Sequence, residues 1–173
     1  MKIFRKKISP IAEEIVNTLS RDEDIEILGS LHGTVVKDIS QFLEGYVRAE
    51  QSLTEEARVV LDEQALPFNQ INKVKALLAK ERNFKLGDEA MEVLADKIIR
   101  YFFTEDSIDE VFSEDVTMRK KIFDIFRKHL EVEDDIDREV RARIKNIPET
   151  SRIFRIEYEK VLREVKRKRG LDS

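Results

Sequence analysis

Two histidines, no cysteine and a cluster of carboxylates make up the reactive side chains that this sequence could bring to bear. His32 and His129 are 97 positions apart, and neither belongs to an ExxH or HExxH arrangement, so the ligand sets of di-iron bundles and zincin-type sites are missing. Without cysteine there are no disulfides, thiolate metal sites or thiol nucleophiles. His129 falls on or beside an apolar helical seam and reads as a hydrogen-bonded or partly exposed structural histidine; His32 sits in a glycine-flanked turn and is assigned no role. The run Glu131, Glu133, Asp134, Asp135 and Asp137 has the charge for a divalent cation. Helix geometry spreads these side chains around the axis, however, and no glycine supplies the turn of a calcium loop. A solvated face paired with Arg138, Arg141 and Arg143 is the reading adopted. The five glycines form no GxGxxG, P-loop or GxSxG pattern. The expectation is therefore a protein that is not an enzyme, with no catalytic residue, cofactor or metal site.

The remaining chemistry is charge. From Lys160 to Arg169 there are six bases, Lys160, Arg163, Lys166, Arg167, Lys168 and Arg169, against the single acid Glu164. Such a helix end can contact phosphates, and Arg119, Lys120, Lys121, Arg127 and Lys128 add a second basic stretch. The competing account is local: cations in a last helical turn complement its dipole. The formal net charge of −4 disfavours a uniformly basic nucleic-acid binder.

The elements that position these residues are helices. Of 173 residues, five are glycine and three proline, which leaves little turn chemistry for a many-stranded sheet. Ser9-Pro10 reads as an N-cap and first helical position, opening a helix over about residues 9–20. Apolar residues from Val35 to Leu61 mark a very long helix over about 34–64, ended by the segment containing Pro67. A short helix over about 70–82 turns Ile71, Val74, Leu77 and Leu78 inward, and Asp88 caps another through about Phe103. An acidic turn with Ser107 and Glu110 at capping-box spacing precedes the second long helix, over about 114–146 and stopping before Pro148. A last helix, about 150–169, carries Ile153, Ile156, Val161, Leu162 and Val165 and ends at Gly170. The fold class is an all-α helical bundle.

One order of elements occurs twice, and sliding the chain by 83 residues aligns it without gaps. Residues 15–61 and 98–144 each hold 20 apolar positions; 15 coincide, where random placement gives about 8 or 9. Nine aligned pairs are identical, including Ser30 with Ser113, Thr34 with Thr117 and Arg58 with Arg141. The expectation is two pseudo-two-fold related repeat units, 1–83 and 84–173. The seam Met118, Ile122, Ile125, His129, Val132, Ile136 can be covered within the chain or by a second copy.

The segments Ile8-Ser9-Pro10-Ile11-Ala12-Glu13-Glu14-Ile15 and Val74-Lys75-Ala76-Leu77-Leu78-Ala79-Lys80-Glu81-Arg82, and the stretch from Arg119 to Leu171, resemble the uncharacterised bacterial family named domain of unknown function 507. That resemblance implies a small cytosolic helical protein and carries over no reaction, ligand or site. No apolar run approaches the roughly 20 residues that span a bilayer. The basic start Met1 to Lys7 is followed by Ser9-Pro10 and Glu13-Glu14, unlike a signal peptide, so the chain reads as cytoplasmic. The functional expectation is a helical scaffold that binds another macromolecule, a protein partner or a second copy, through long helical faces. The alternative is a nucleic-acid or ribonucleoprotein-associated factor using the basic C-terminal helix.

Overall fold

A computed structural model describes residue 3 and residues 5–171, with the side chains of residues 130–134 outside that description. The expected seam member Val132 and the acids Glu131, Glu133 and Asp134 thus lie outside the described side chains. The chain forms α1 (Arg5–Arg21), β1 (Ile25–Ile27), α2 (His32–Glu63), a 3-10 turn (Phe68–Gln70), α3 (Ile71–Glu81), α4 (Asp88–Thr104), β2 (Ile108–Val111), α5 (Asp115–Arg143) and α6 (Arg152–Lys168). The class is all-α, with two very long helices.

Helix α1 begins four residues before the expected Ser9 cap, and Pro10 lies inside it. Proline there removes only the bond to the Lys6 carbonyl, and burial of Ile8 at 4 % exposure anchors the preceding turn. The Ser9 hydroxyl donates to Glu13 Oε1 at 3.2 Å and caps nothing. Asp88 is likewise the first residue of α4 and not its cap; Gly87, at φ 62°, holds the cap position. Asp88 and Glu89 instead place negative charge in the first turn, where the helix dipole favours it.

Four helices close on a residue in the left-handed region: Glu23, Ala65, Asn83 and Gly170, at φ 57°, 52°, 51° and 66°. After α6, Leu171 N–H donates to the Lys166 carbonyl at 2.8 Å and Gly170 N–H to that of Arg167 at 3.0 Å, a Schellman ending. The same pair of bonds follows α2, from Leu66 to Leu61 and Ala65 to Asp62. Only the last of the four uses the glycine that makes such an ending visible in a sequence.

The two acidic turns contain what periodicity did not indicate. Within them β1 and β2 pair antiparallel, Ile25 with Val111, Glu26 with Glu110 and Ile27 with Ile108, with a bulge between the last two pairs. Ser107 and Glu110 therefore form no capping box: Glu110 is a strand residue, and the Ser107 carbonyl accepts from Leu28 N–H at 2.9 Å.

Helices α1 and α4 start, and also end, 83 residues apart; so do the starts of β1 and β2, and of α2 and α5. Compactness divides the chain differently from the segments 1–83 and 84–173. One unit holds Lys2–Val47 and Gly87–Leu130, the other Arg48–Leu86 and Glu131–Ser173. In the first, Ile11, Ile15 and Leu19 of α1, Ile39 and Leu43 of α2, Ile98 and Phe102 of α4, and Met118, Ile122 and Phe126 of α5 form one cluster, each at most 2 % exposed. The described part of the α5 seam in this unit is thus covered by the chain's own α1, α2 and α4. In the second unit Ala57, Leu61 and Val74 pack with Leu66, Phe68, Ile71 and Leu78. Leu77, expected inward, is 55 % exposed, because α3 turns Val74 and Ala79 to the interior. Among the described residues no helix is long and apolar enough to cross a membrane.

Candidate interaction face

The two histidines are absorbed by structural pairs. His129 Nε2 lies 2.8 Å from Glu14 Oε2, and Lys128 Nζ is 2.7 Å from the other oxygen of the same carboxylate. His32 opens α2 with Nε2 2.8 Å from Asn17 Oδ1. Among the described residues, no group of three or more His, Asp or Glu side chains is placed to hold a metal ion. Asp135 and Asp137 pair with Arg138 at 3.1 Å and Arg141 at 2.8 Å.

The basic stretch on α5 is largely neutralised. Arg119 pairs with Asp96, Lys121 with Asp24 at 2.6 Å and Asp22 at 2.9 Å, and Lys128 with Glu14. Those two aspartates hold the Lys121 ammonium above its ordinary pKa. Three of the five cations are thus committed to the fold.

Of the six cations from Lys160 to Arg169, three are paired or half-buried. Lys160 reaches Glu157 at 3.6 Å and Arg169 reaches Glu139 at 2.7 Å, while Lys166 is half-buried. Arg163, Arg167 and Lys168 are exposed and make no ion pair among the described residues. Arg152, at the other end of the helix, is exposed and unpaired in the same sense.

The buried face of α6 agrees with the expectation at Val161 and Val165 and departs from it at the start of the helix. Ile153 and Ile156, expected inward with them, are 60 % and 64 % exposed, and Phe154 is buried instead. Two stripes compete on this helix, and the one with aromatic rings packs inward. Phe68 lies 6.3 Å from Phe154 and 5.9 Å from Tyr158, ring centre to ring centre. At 3.6 residues per turn, the opposite stripe places Arg152, Ile153, Ile156, Lys160, Arg163 and Arg167 within an arc of about 100°. The signal available in the sequence was the Phe154, Tyr158, Val161, Val165 spacing, which outcompetes the isoleucines only once Phe68 is known to lie opposite.

A cleft of about 780 Å³ opens beside this stripe, lined by Leu61, Leu66, Pro67, Phe68, Arg152 and Ile156, among others. Arg155 also borders it, held by Asp62 at 2.9 Å and lying 5.9 Å from the Phe68 ring centre. Ser151 caps α6 by accepting from Ile153 N–H at 3.2 Å, which fixes where Arg152 and Ile153 leave the backbone. The arrangement offers apolar surface with one uncompensated positive charge.

The family described as "Protein of unknown function (DUF507)" matches residues 1–171. The chain belongs to DUF507. No curated protein matches it. Membership covers α1 through α6, so in this DUF507 chain the outer stripe of α6 and the cleft both fall inside the family's extent.

Proposed function

We propose that this chain is a non-enzymatic binding protein whose contact surface is the outer stripe of α6, and that it works in the cytoplasm of a bacterium. One observation carries the reading: Ile153 and Ile156 stay in water between Arg152 and Lys160, on a helix that already buries another apolar face. Exposing one isoleucine is ordinary; two adjacent on a helix face, rimmed by the unpaired Arg152 and by Lys160 and opening into a cleft, fit a surface that a macromolecule covers. Support for a protein partner comes from the isoleucines themselves, since a phosphate backbone offers them nothing to bury against.

The second reading, contact with nucleic acid, draws on the exposed, unpaired Arg163, Arg167 and Lys168 near the C-terminal end of the helix. Affinity capture from native cells, with and without nuclease, separates the two when run beside an Ile153→Asp, Ile156→Asp double variant. The protein reading expects a defined partner that survives nuclease and is lost in the variant. Capture that disappears with nuclease transfers the surface to the second reading, and capture unchanged in the variant removes α6 from the account.

A further inference from the structure

We infer that the cleft beside α6 is the docking site for an acidic, amphipathic segment of a partner protein, which inserts an apolar side chain against Leu66, Phe68 and Ile156 and sets a carboxylate on Arg152. This rests on the reading of α6 as a contact surface and goes further by assigning the partner's chemistry and the point of entry. The size of the cleft, about 780 Å³, is in the range that receives a bulky apolar group with its surroundings. Its walls come from the C-terminal end of α2, the segment Ala65–Phe68 and the N-terminal turn of α6.

Charge decides the class of occupant. Of the three charged side chains at the cleft, Arg155 and Asp62 satisfy each other, and Arg152 makes no ion pair among the described residues. A cation at the first position of a helix also opposes the positive end of the dipole, so Arg152 gains nothing locally by being there. A carboxylate from outside relieves both, with the bidentate geometry that a guanidinium favours. The same sign continues along the stripe at Lys160, Arg163 and Arg167. From Arg152 to Arg167 is about 22 Å, the length of a helix of about 15 residues. A small anionic metabolite would fill the cleft and leave that stripe unused, whereas a segment with an apolar side chain flanked by acids at helical spacing engages both.

Selection of a phage-displayed library of random 16-residue peptides on the immobilised full chain tests this. Enriched sequences are expected to carry Asp or Glu around Leu, Ile or Phe at three- and four-residue spacing. The best peptide, labelled and measured by fluorescence anisotropy, is expected to bind about tenfold more weakly to Arg152→Glu and to Ile156→Asp. Lys168→Glu, outside the arc, changes affinity less than twofold, and Arg152→Lys restores part of the loss. Thermal melts by circular dichroism confirm that these exposed substitutions leave the fold intact. Enriched peptides without acids, affinities indifferent to Arg152 and Ile156, or tighter binding of a labelled 16-nucleotide single-stranded RNA at the same residues each overturn the inference. If any of these occurs while cellular capture still depends on Ile153 and Ile156, only the partner's chemistry is overturned; loss of both removes the α6 surface as well.

Discussion

Ser113 donates a hydrogen bond of 2.6 Å to Oδ1 of Asp24, a residue 89 positions away and only 2 % exposed. The other carboxylate oxygen of Asp24 takes the Lys121 ammonium at 2.6 Å, and its carbonyl accepts from Phe112 N–H at 2.9 Å. One buried aspartate thereby ties the two acidic turns together beside the β1–β2 ribbon.

Asp24→Ala leaves the Ser113 hydroxyl without its acceptor and the Lys121 ammonium with Asp22 alone, and is expected to lower unfolding free energy by about 2 kcal/mol. Asp24→Asn keeps an acceptor for Ser113 and costs less. Urea denaturation of the three proteins checks the order; an alanine variant as stable as the parent would refute the role.

Glu50 and Lys75 form the most buried ion pair described, at 2.7 Å with side-chain exposures of 4 % and 16 %. Removing one partner of such a pair strands the other, so Glu50→Ala should cost about 3 kcal/mol, while a Glu50→Met, Lys75→Met double replacement recovers most of it. A double-mutant cycle by denaturant melts gives the coupling, and additive losses would contradict it.

Acid should weaken the fold through Glu14. Burial acts to raise its carboxyl, but the hydrogen bonds from Lys128 and His129 outweigh that and hold its pKa below the ordinary 4.5. A carboxyl with a depressed folded pKa stabilises the native state above its unfolded value, and this contribution vanishes as pH falls through the folded value. The parent is therefore expected to lose more stability than Glu14→Gln between about pH 5 and about pH 3. Parallel slopes in urea midpoints across that window would show that the carboxylate contributes nothing.

Ala65 ends α2 at φ 52°, a conformation that a Cβ disfavours and glycine adopts freely. Ala65→Gly should raise stability by about 0.5–1 kcal/mol despite the flexibility it adds to the unfolded chain. Gly170→Ala, at φ 66°, should lower it by about 1 kcal/mol. Melting temperatures that move the opposite way would mean that these endings relax in solution.

Ile153→Asp and Ile156→Asp are expected to change stability by less than about 0.5 kcal/mol, since both side chains already lie in solvent. A larger loss in a denaturant melt would place them in the core and take the contact surface away.

The 83-residue spacing of both ends of α1 and α4 suggests that the halves of the chain share an origin. Superposition of residues 11–64 on 94–147 with the same helix order and direction is the expected outcome, and a misfit in either would end the idea.

The helices were legible because their information is local: apolar side chains at three- and four-residue spacing show which stretches coil and roughly where each stops. The seam residues Met118, Ile122 and Ile136 were identified from that spacing, and all are buried. Where the spacing allowed two answers, the partner decided. On α6 the isoleucines and the aromatic residues both form stripes, and only the position of Phe68 turns Phe154 and Tyr158 inward and leaves Ile153 and Ile156 outside. The strand pairing of Ile25 with Val111 and the burial of Asp24 were likewise beyond the sequence, because each depends on a residue more than 80 positions away. Basic runs looked alike in the sequence; the carboxylates Asp96, Asp22, Asp24 and Glu14 pair three of the five cations on α5, whereas Arg163, Arg167 and Lys168 of α6 make no ion pair among the described residues. Local periodicity thus specified the helices, and long-range packing specified which of their faces stay exposed.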